Sequence, residues 1–181
     1  MTGFDAATGG FVSTPRNVGD AHAYGLELSG RMPLDDLGLA DAALWGSALY
    51  TSSKVDDPLG GSRPFLDQPD FVGRIGLDYE YRPWNTTFGL ALNWTSSINQ
   101  RPNLAGGGTL RQSISSRARL DLTTRTEIAD NSFLTISATN LLGQTEGRVD
   151  RVFDAAGTLQ SRDRRSEPTY RNHFIGITRA F

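Results

Sequence analysis

The sequence has no cysteine, which excludes disulfides, thiolate metal sites and thiol catalysis. It has no stretch near 18 consecutive apolar residues, so no transmembrane helix is encoded. A membrane protein built from strands would escape that test, because its segments alternate and mean hydropathy stays low. Neither sign of charge dominates: 18 basic residues face 20 acidic ones, for a net charge of −2. Nucleic-acid binding needs a basic excess and finds no support. The two histidines, His22 and His173, are far apart in strand-like segments and make a poor metal set. No charged region followed by an apolar run comes after Met1, so no secretory signal peptide is legible. Serine, histidine and aspartate occur without a nucleophile elbow. Gly106-Gly107-Gly108 reads as a loop rather than a phosphate cradle. Neither enzymatic activity nor a cofactor or metal is expected.

What is present is period-2 alternation from about residue 20 to the end. One face reads Tyr24, Leu26, Leu28; the other reads Ala23, Gly25, Glu27, Ser29, Arg31. Phe71, Gly73, Ile75, Leu77, Tyr79 and Tyr81 alternate with Val72, Arg74, Gly76, Asp78 and Glu80. The same split recurs at Phe88–Trp94, at Ala118–Leu122 against Arg117, Arg119, Asp121 and Arg125, and at Leu134–Ala138. Ile175 and Ile177 carry it towards Phe181, interrupted by Arg179. The pattern predicts seven strands near 20–32, 40–53, 69–82, 86–97, 111–127, 132–142 and 167–181. In the second, Leu44, Gly46, Ala48 and Tyr50 compete with Trp45, Ser47, Leu49 and Thr51 for the apolar face. None of the eight prolines falls inside a predicted strand, and Pro168 opens the last one, as expected of a residue that cannot donate to a ladder.

The connections alternate in length. Pro33–Leu39, Pro83–Asn85 and Ile128–Asn131 are short; 54–68, 98–110 and 143–166 are long. Antiparallel neighbours then collect the short turns at one end and the long loops at the other, as in membrane barrels. Within 143–166, two alternating segments flank Ala155-Ala156-Gly157 and predict a two-stranded ribbon extending above the membrane.

Alternation alone allows a soluble barrel with its apolar face inward or a membrane barrel with it outward. Predicted strands beyond ten residues favour the membrane, where about 9–11 are needed. The other face carries Glu27, Arg31, Arg74, Asp78, Glu80, Arg117, Arg119, Asp121 and Arg125, which suits a wet or plugged lumen. Threading the strands puts Tyr79, Tyr81, Trp84, Phe88, Phe133 and Phe181 near the short-turn end. Tyr24, Tyr50, Phe71, Trp94 and Tyr170 fall near the long-loop end. Two such levels match aromatic girdles at the two membrane–water boundaries.

Several segments resemble the C-terminal barrel region of TonB-dependent outer-membrane receptors. Asn17-Val-Gly-Asp-Ala-His-Ala-Tyr-Gly-Leu-Glu27 resembles a recurring strand opening of that family, and Leu49-Tyr-Thr-Ser-Ser53 a strand end. Arg63-Pro-Phe-Leu-Asp-Gln-Pro69 is similar to a segment leading into the next strand. Ala138-Thr-Asn-Leu-Leu-Gly143 is similar to the motif closing the penultimate strand. The resemblance spans about residues 17–181. It implies an all-β, antiparallel transmembrane barrel segment of about seven meander strands, open as a fragment. Residues 1–16 would be an extracellular loop remnant, and 17–181 the C-terminal part of the barrel, without the plug.

The resemblance further implies uptake of a scarce nutrient, of the ferric siderophore, cobalamin or glycan class, across the bacterial outer membrane. Expected partners are outer-membrane lipid, the missing N-terminal barrel and plug, the TonB system reached through that plug, and the barrel assembly machinery, to which Phe181 is presented. The expected lumen wall is Glu27, Arg74, Asp78, Arg117, Arg119 and Asp121, with Gly25 permitting close approach. Loops 54–68, 98–110 and 143–166 are the candidate ligand-binding region. There Arg148, Arg151, Arg162, Arg164 and Arg165 could attract an anionic ligand or lipopolysaccharide phosphate. They alternate in sequence with Asp150, Asp154, Asp163 and Glu167, so self-pairing within the ribbon is the expected arrangement. Asp56, Asp57, Asp67 and Asp70 could collect calcium, but a solvated acidic loop is the simpler reading. Two alternatives stand beside the receptor: a small stand-alone outer-membrane barrel with a structural or adhesive role, and a soluble β-barrel binding module.

Overall fold

The computed structural model describes residues 2–5, 10–13 and 19–180. In chain order the first strands are β1 (Thr2–Asp5), β2 (Gly10–Ser13), β3 (Ala21–Pro33), β4 (Ala42–Asp56), β5 (Ser62–Arg63), β6 (Phe71–Tyr81) and β7 (Thr86–Thr95). They are followed by β8 (Ile98–Gln100), β9 (Thr109–Ile114), β10 (Arg117–Ala129), β11 (Ser132–Thr139), β12 (Thr145–Phe153), β13 (Leu159–Pro168) and β14 (Asn172–Arg179). The fold is all-β and antiparallel. A wall sheet runs in the order β14-β11-β10-β7-β6-β4-β3, with β5 paired to the end of β4. Among the described residues it does not close: β3 and β14 are its two edges. β1 and β2 pair only with each other and add no eighth strand to the wall.

Local sequence explains the wall. Alternating residues place one apolar set on one side of each strand, and the register aligns these sets across the sheet. Leu28↔Ala48, Ala48↔Gly73, Gly73↔Trp94 and Trp94↔Ala118 form one row. Met32↔Leu44, Leu44↔Leu77, Leu77↔Leu90, Leu90↔Leu122 and Leu122↔Ala138 form another. The contest within β4 is thereby decided. Leu44, Gly46, Ala48 and Tyr50 join the apolar side, while Trp45, Ser47, Leu49 and Thr51 join the polar side. The short connections are tight. Two contain 3-10 turns, Asp35–Leu37 and Arg82–Trp84. Two use asparagine at positive φ, Asn85 (φ 44) and Asn131 (φ 55), a residue that tolerates the left-handed region.

Among the described residues nothing packs against the apolar face of the sheet. Among the described residues no large side chain is fully buried, and the buried hydrophobics are only Leu34, Ala42 and Ala91. Leu28 is 74% exposed, Ile75 50% and Ile177 71%. A soluble barrel or sandwich would bury this stripe in its own core; here it lies open from β3 to β14.

Four expectations are corrected. The predicted strand 111–127 is two strands, because the chain leaves the wall at Ser115-Ser116 and β9 belongs to a different sheet. The hairpin within 143–166 exists as β12 and β13, but not as a two-stranded extension. β12 also pairs β9, and β9 pairs β8, giving a four-stranded surface sheet in the order β13-β12-β9-β8. Pro168 ends β13 instead of opening β14. Phe133 sits at the short-turn end but on the polar side, where the Arg125 guanidinium stacks 4.0 Å from its ring centre. Phe181 lies outside the described residues.

Candidate functional site

Two regions carry polar chemistry: the polar side of the wall and the surface sheet at the long-loop end. The expected wall residues Glu27, Arg74, Asp78, Arg117, Arg119 and Asp121 all fall on one side, because successive registers link them. Ser29↔Ser47, Ser47↔Arg74, Arg74↔Asn93 and Asn93↔Arg119 form one polar row. Glu27↔Leu49, Leu49↔Val72, Val72↔Thr95 and Thr95↔Arg117 form its neighbour.

Their partners differ. Arg31 reaches over β4 to Asp78 at 2.7 Å. Arg74 lies 4.6 Å over the Trp45 ring, a cation–π contact. Trp45 in turn covers Gly76: a Cβ there would overlap the indole. Asp121 gathers three donors, the Arg119 Nε at 3.0 Å, the Asn93 Nδ2 at 3.2 Å and the Asn140 backbone N–H at 2.9 Å, which suits a carboxylate acceptor. Arg117 pairs with Glu146 at 3.0 Å, tying the wall to the root of the surface hairpin. Glu27 has no hydrogen-bond or ion-pair partner among the described residues. Gly25 permits the neighbouring strand's own close approach, since a Cβ there would come within 2.8 Å of the Tyr50 carbonyl oxygen.

The segment Ala138–Gly143 does structural work that its sequence did not disclose. Asn140, at φ 58, ends β11 and donates through Nδ2 to Thr169 Oγ1 at 2.9 Å and to the Tyr170 carbonyl at 3.0 Å. Arg171 Nε donates to the Leu141 carbonyl at 3.0 Å, and Leu141 N–H donates to the Leu120 carbonyl at 2.8 Å. This clasp holds β10, β11 and the start of β14 together where the surface hairpin departs. Asn93, Asn140 and Trp45 were all missed as wall residues. Alternation parity was the signal for Asn93, Trp45 lay in the contest of β4 that only strand pairing decides, and Asn140 carried only its αL-tolerant residue type.

At the long-loop end, loop 54–68, β8, β9 and β12 are joined by one polar ladder. Asp67 N–H donates to Gln100 Oε1 at 2.9 Å, and Gln100 Nε2 donates back to Asp67 Oδ1 at 3.3 Å. Gln100 Nε2 also donates to Gln112 Oε1, and Gln112 Nε2 to Asp150 Oδ1 at 2.9 Å. Both glutamines are buried. Such groups are costly unless hydrogen-bonded, so the ladder fixes the three long connections as a unit. Asp57 adds a second staple. It accepts from Leu59 N–H at 2.9 Å and from Arg63 Nε at 3.1 Å. The Leu59 bond leads in holding its carboxyl below the ordinary range, with bonds from Asn103 and Arg63 adding to it and burial opposing. Of the four aspartates that could collect calcium, Asp57 is thus engaged with Arg63 and Asp67 with Gln100.

The arginines of the hairpin divide. Arg148 pairs with Asp150 at 3.3 Å and Arg165 with Asp163 at 2.9 Å, as self-pairing predicts. Arg151, Arg162 and Arg164 do not: among the described residues none makes an ion pair or hydrogen bond.

The family model for the TonB dependent receptor-like β-barrel matches residues 2–141, ending at the Asn140 clasp. No curated protein and no solved structure matches the chain. Members of the matched family are outer-membrane receptors and transporters associated with the TonB system, not enzymes. The match covers most of the 181 residues and agrees with the antiparallel wall: the chain belongs to the TonB-dependent receptor-like β-barrel family.

Proposed function

We propose that this wall is part of an outer-membrane receptor barrel that takes up a scarce nutrient, of the ferric siderophore, cobalamin or glycan class, with energy from the TonB system. The observation that carries the reading is the apolar face, continuous across seven strands and uncovered by any of the described residues. Lipid covers it. The opposite side, with Glu27, Arg74, Asp78, Arg117, Arg119 and Asp121, faces the lumen and a plug, and further strands complete the wall beyond β3 and β14. The surface layer formed by 54–68, 98–110 and 143–166 meets ligand at the cell exterior. Phe181 is the feature read by the barrel assembly machinery.

Tryptophan quenching in vesicles of bromine-labelled lipid tests the orientation. The chain has three tryptophans, and single-tryptophan variants separate Trp94 on the apolar side from Trp45 on the polar side. The reading expects strong acyl-chain quenching of Trp94 and little of Trp45. Equal quenching refutes it. Uptake is tested in cells: removing 145–168 from the receptor is expected to lower accumulation of its nutrient while the protein still reaches the outer membrane.

A further inference from the structure

The surface sheet sorts its charges by face. Strand pleating puts residues of opposite parity on opposite sides, so acids and arginines that alternate in sequence separate in space. On one side, Glu146↔Glu167, Arg148↔Arg165 and Asp150↔Asp163 stand in successive rows. The same-strand neighbours Arg148–Asp150 and Arg165–Asp163 neutralise one another there, and Arg117 meets Glu146. On the other side, Arg111↔Arg151 and Arg151↔Arg162 place three arginines directly abreast on β9, β12 and β13, with Arg164 one row away opposite Val149. The strands contribute no acid to this side.

Like charges directly opposite on neighbouring strands destabilise a sheet, and here three are aligned without a counter-charge. Among the described residues, Arg111, Arg151, Arg162 and Arg164 make no ion pair or hydrogen bond. Arg111 is held by one contact, 4.5 Å over the Phe153 ring. That contact leaves its guanidinium N–H groups free, because stacking uses the face of the fork and not its edge. Asp154, which follows Phe153 at the end of β12, is committed to its own turn. It accepts from Thr158 N–H at 2.8 Å, Ala156 N–H at 3.0 Å and Gln160 Nε2 at 2.6 Å.

We propose that this arginine face binds a multivalent oxyanion, a ligand carrying two or more phosphate or carboxylate groups. Adjacent strands lie about 4.8 Å apart, so the row presents successive bidentate donors at a spacing that one anionic group per arginine can follow. Its charge has two possible sources, a free solute or a lipid headgroup, and the chemistry is the same for both. The proposal rests on reading this sheet as the outward layer of the receptor, and it names the ligand chemistry that layer takes.

The test uses the full chain in zwitterionic detergent micelles, titrated with inorganic tripolyphosphate and, separately, transferred to micelles doped with phosphatidic acid. The double variant R162Q/R164Q removes two charges from exposed β13 on the arginine face. R165Q removes one from the same strand on the opposite face. The expected result is saturable binding of at least one probe, weakened about tenfold or more by R162Q/R164Q, as loss of charge-assisted bonds requires, and nearly unchanged by R165Q. Binding of tripolyphosphate in plain micelles identifies a free solute. Binding only in doped micelles identifies a headgroup. The proposal is overturned if neither probe binds at millimolar concentration, or if R165Q weakens binding as much as R162Q/R164Q. The tryptophan quenching above is independent: equal quenching with intact polyanion binding would remove the receptor reading and leave the site, and the converse would remove only the site.

Discussion

Leu92→Arg measures what the open apolar face meets. Leu92 is on β7, flanked by Ile75 on β6 and Leu120 on β10, and is 37% exposed. Along β7 the apolar side runs from Phe88 to Trp94, a span of roughly 20 Å at the usual rise, and Leu92 lies between these aromatic levels. If lipid covers the face, an arginine near mid-membrane costs roughly 2–4 kcal/mol. At about 1.4 kcal/mol per decade, that lowers the folding equilibrium constant about 30- to 700-fold. The control is Thr123→Arg, on the polar side between Gly89 and Ser137, where a new surface charge costs within about 0.5 kcal/mol. The assay is urea unfolding of both variants in lipid vesicles, followed by tryptophan emission, with heat-modifiable gel mobility as a second readout. Equal midpoints for the two variants would refute the lipid-facing assignment. A larger loss for Thr123→Arg would reverse the two faces.

Further outcomes follow from the wall and the loops. Gly76→Ala drives a methyl into the Trp45 ring and is expected to cost about 1–3 kcal/mol through overpacking. The double variant with Trp45→Leu should recover most of that loss in the same unfolding assay. Asn140→Ala deletes two hydrogen bonds and puts alanine at positive φ. About 1 kcal/mol per bond and about 1–2 for the left-handed backbone predict a loss of roughly 3 kcal/mol, visible as faster proteolysis near 169–171. Asn140→Gly should keep the backbone portion. The Asp154 carboxyl is held below its ordinary range, first by the Thr158 N–H bond and then by Gln160 and further backbone N–H groups against some desolvation. A lowered folded pKa gives stability that is present above the ordinary carboxyl value of about 3.9 and lost as pH falls through the lowered one. The amides of Ala156 and Thr158 should therefore stay protected from exchange at pH 5 and lose protection only under stronger acid. Loss of protection already at pH 5 would contradict the hydrogen-bonded turn.

Much of the wall was legible because strand alternation is local. The parity of Tyr24, Leu26 and Leu28, or of Phe71 through Tyr81, assigns faces without knowledge of any partner, and tight connections such as Arg82–Asn85 fix which strands are adjacent. The face of β4 was not legible. Leu44, Ala48 and Tyr50 compete evenly with Trp45, Leu49 and Thr51, and only pairing to Leu77, Gly73 and Phe71 breaks the tie. Phe133 was misplaced because its height along the strand was weighed without its parity: it precedes Leu134, so local alternation already puts it on the polar side with Thr135 and Ser137.

The loops show the same boundary more sharply. From sequence, Arg151, Arg162 and Arg164 stand among aspartates and appear neutralised. Pleating moves those acids to the opposite side, and pairing of β12 with both β9 and β13 brings Arg111 beside them. The period-2 signal, the lack of cysteine and the alternation of short and long connections determined an antiparallel wall with one apolar face. Tertiary structure decided which strands meet in the surface sheet, that β9 leaves the wall at Ser115-Ser116, and which charges have partners. Faces follow from single-chain geometry, whereas ion pairs and arginine rows depend on contacts between residues up to 47 positions apart, as in Arg31 with Asp78.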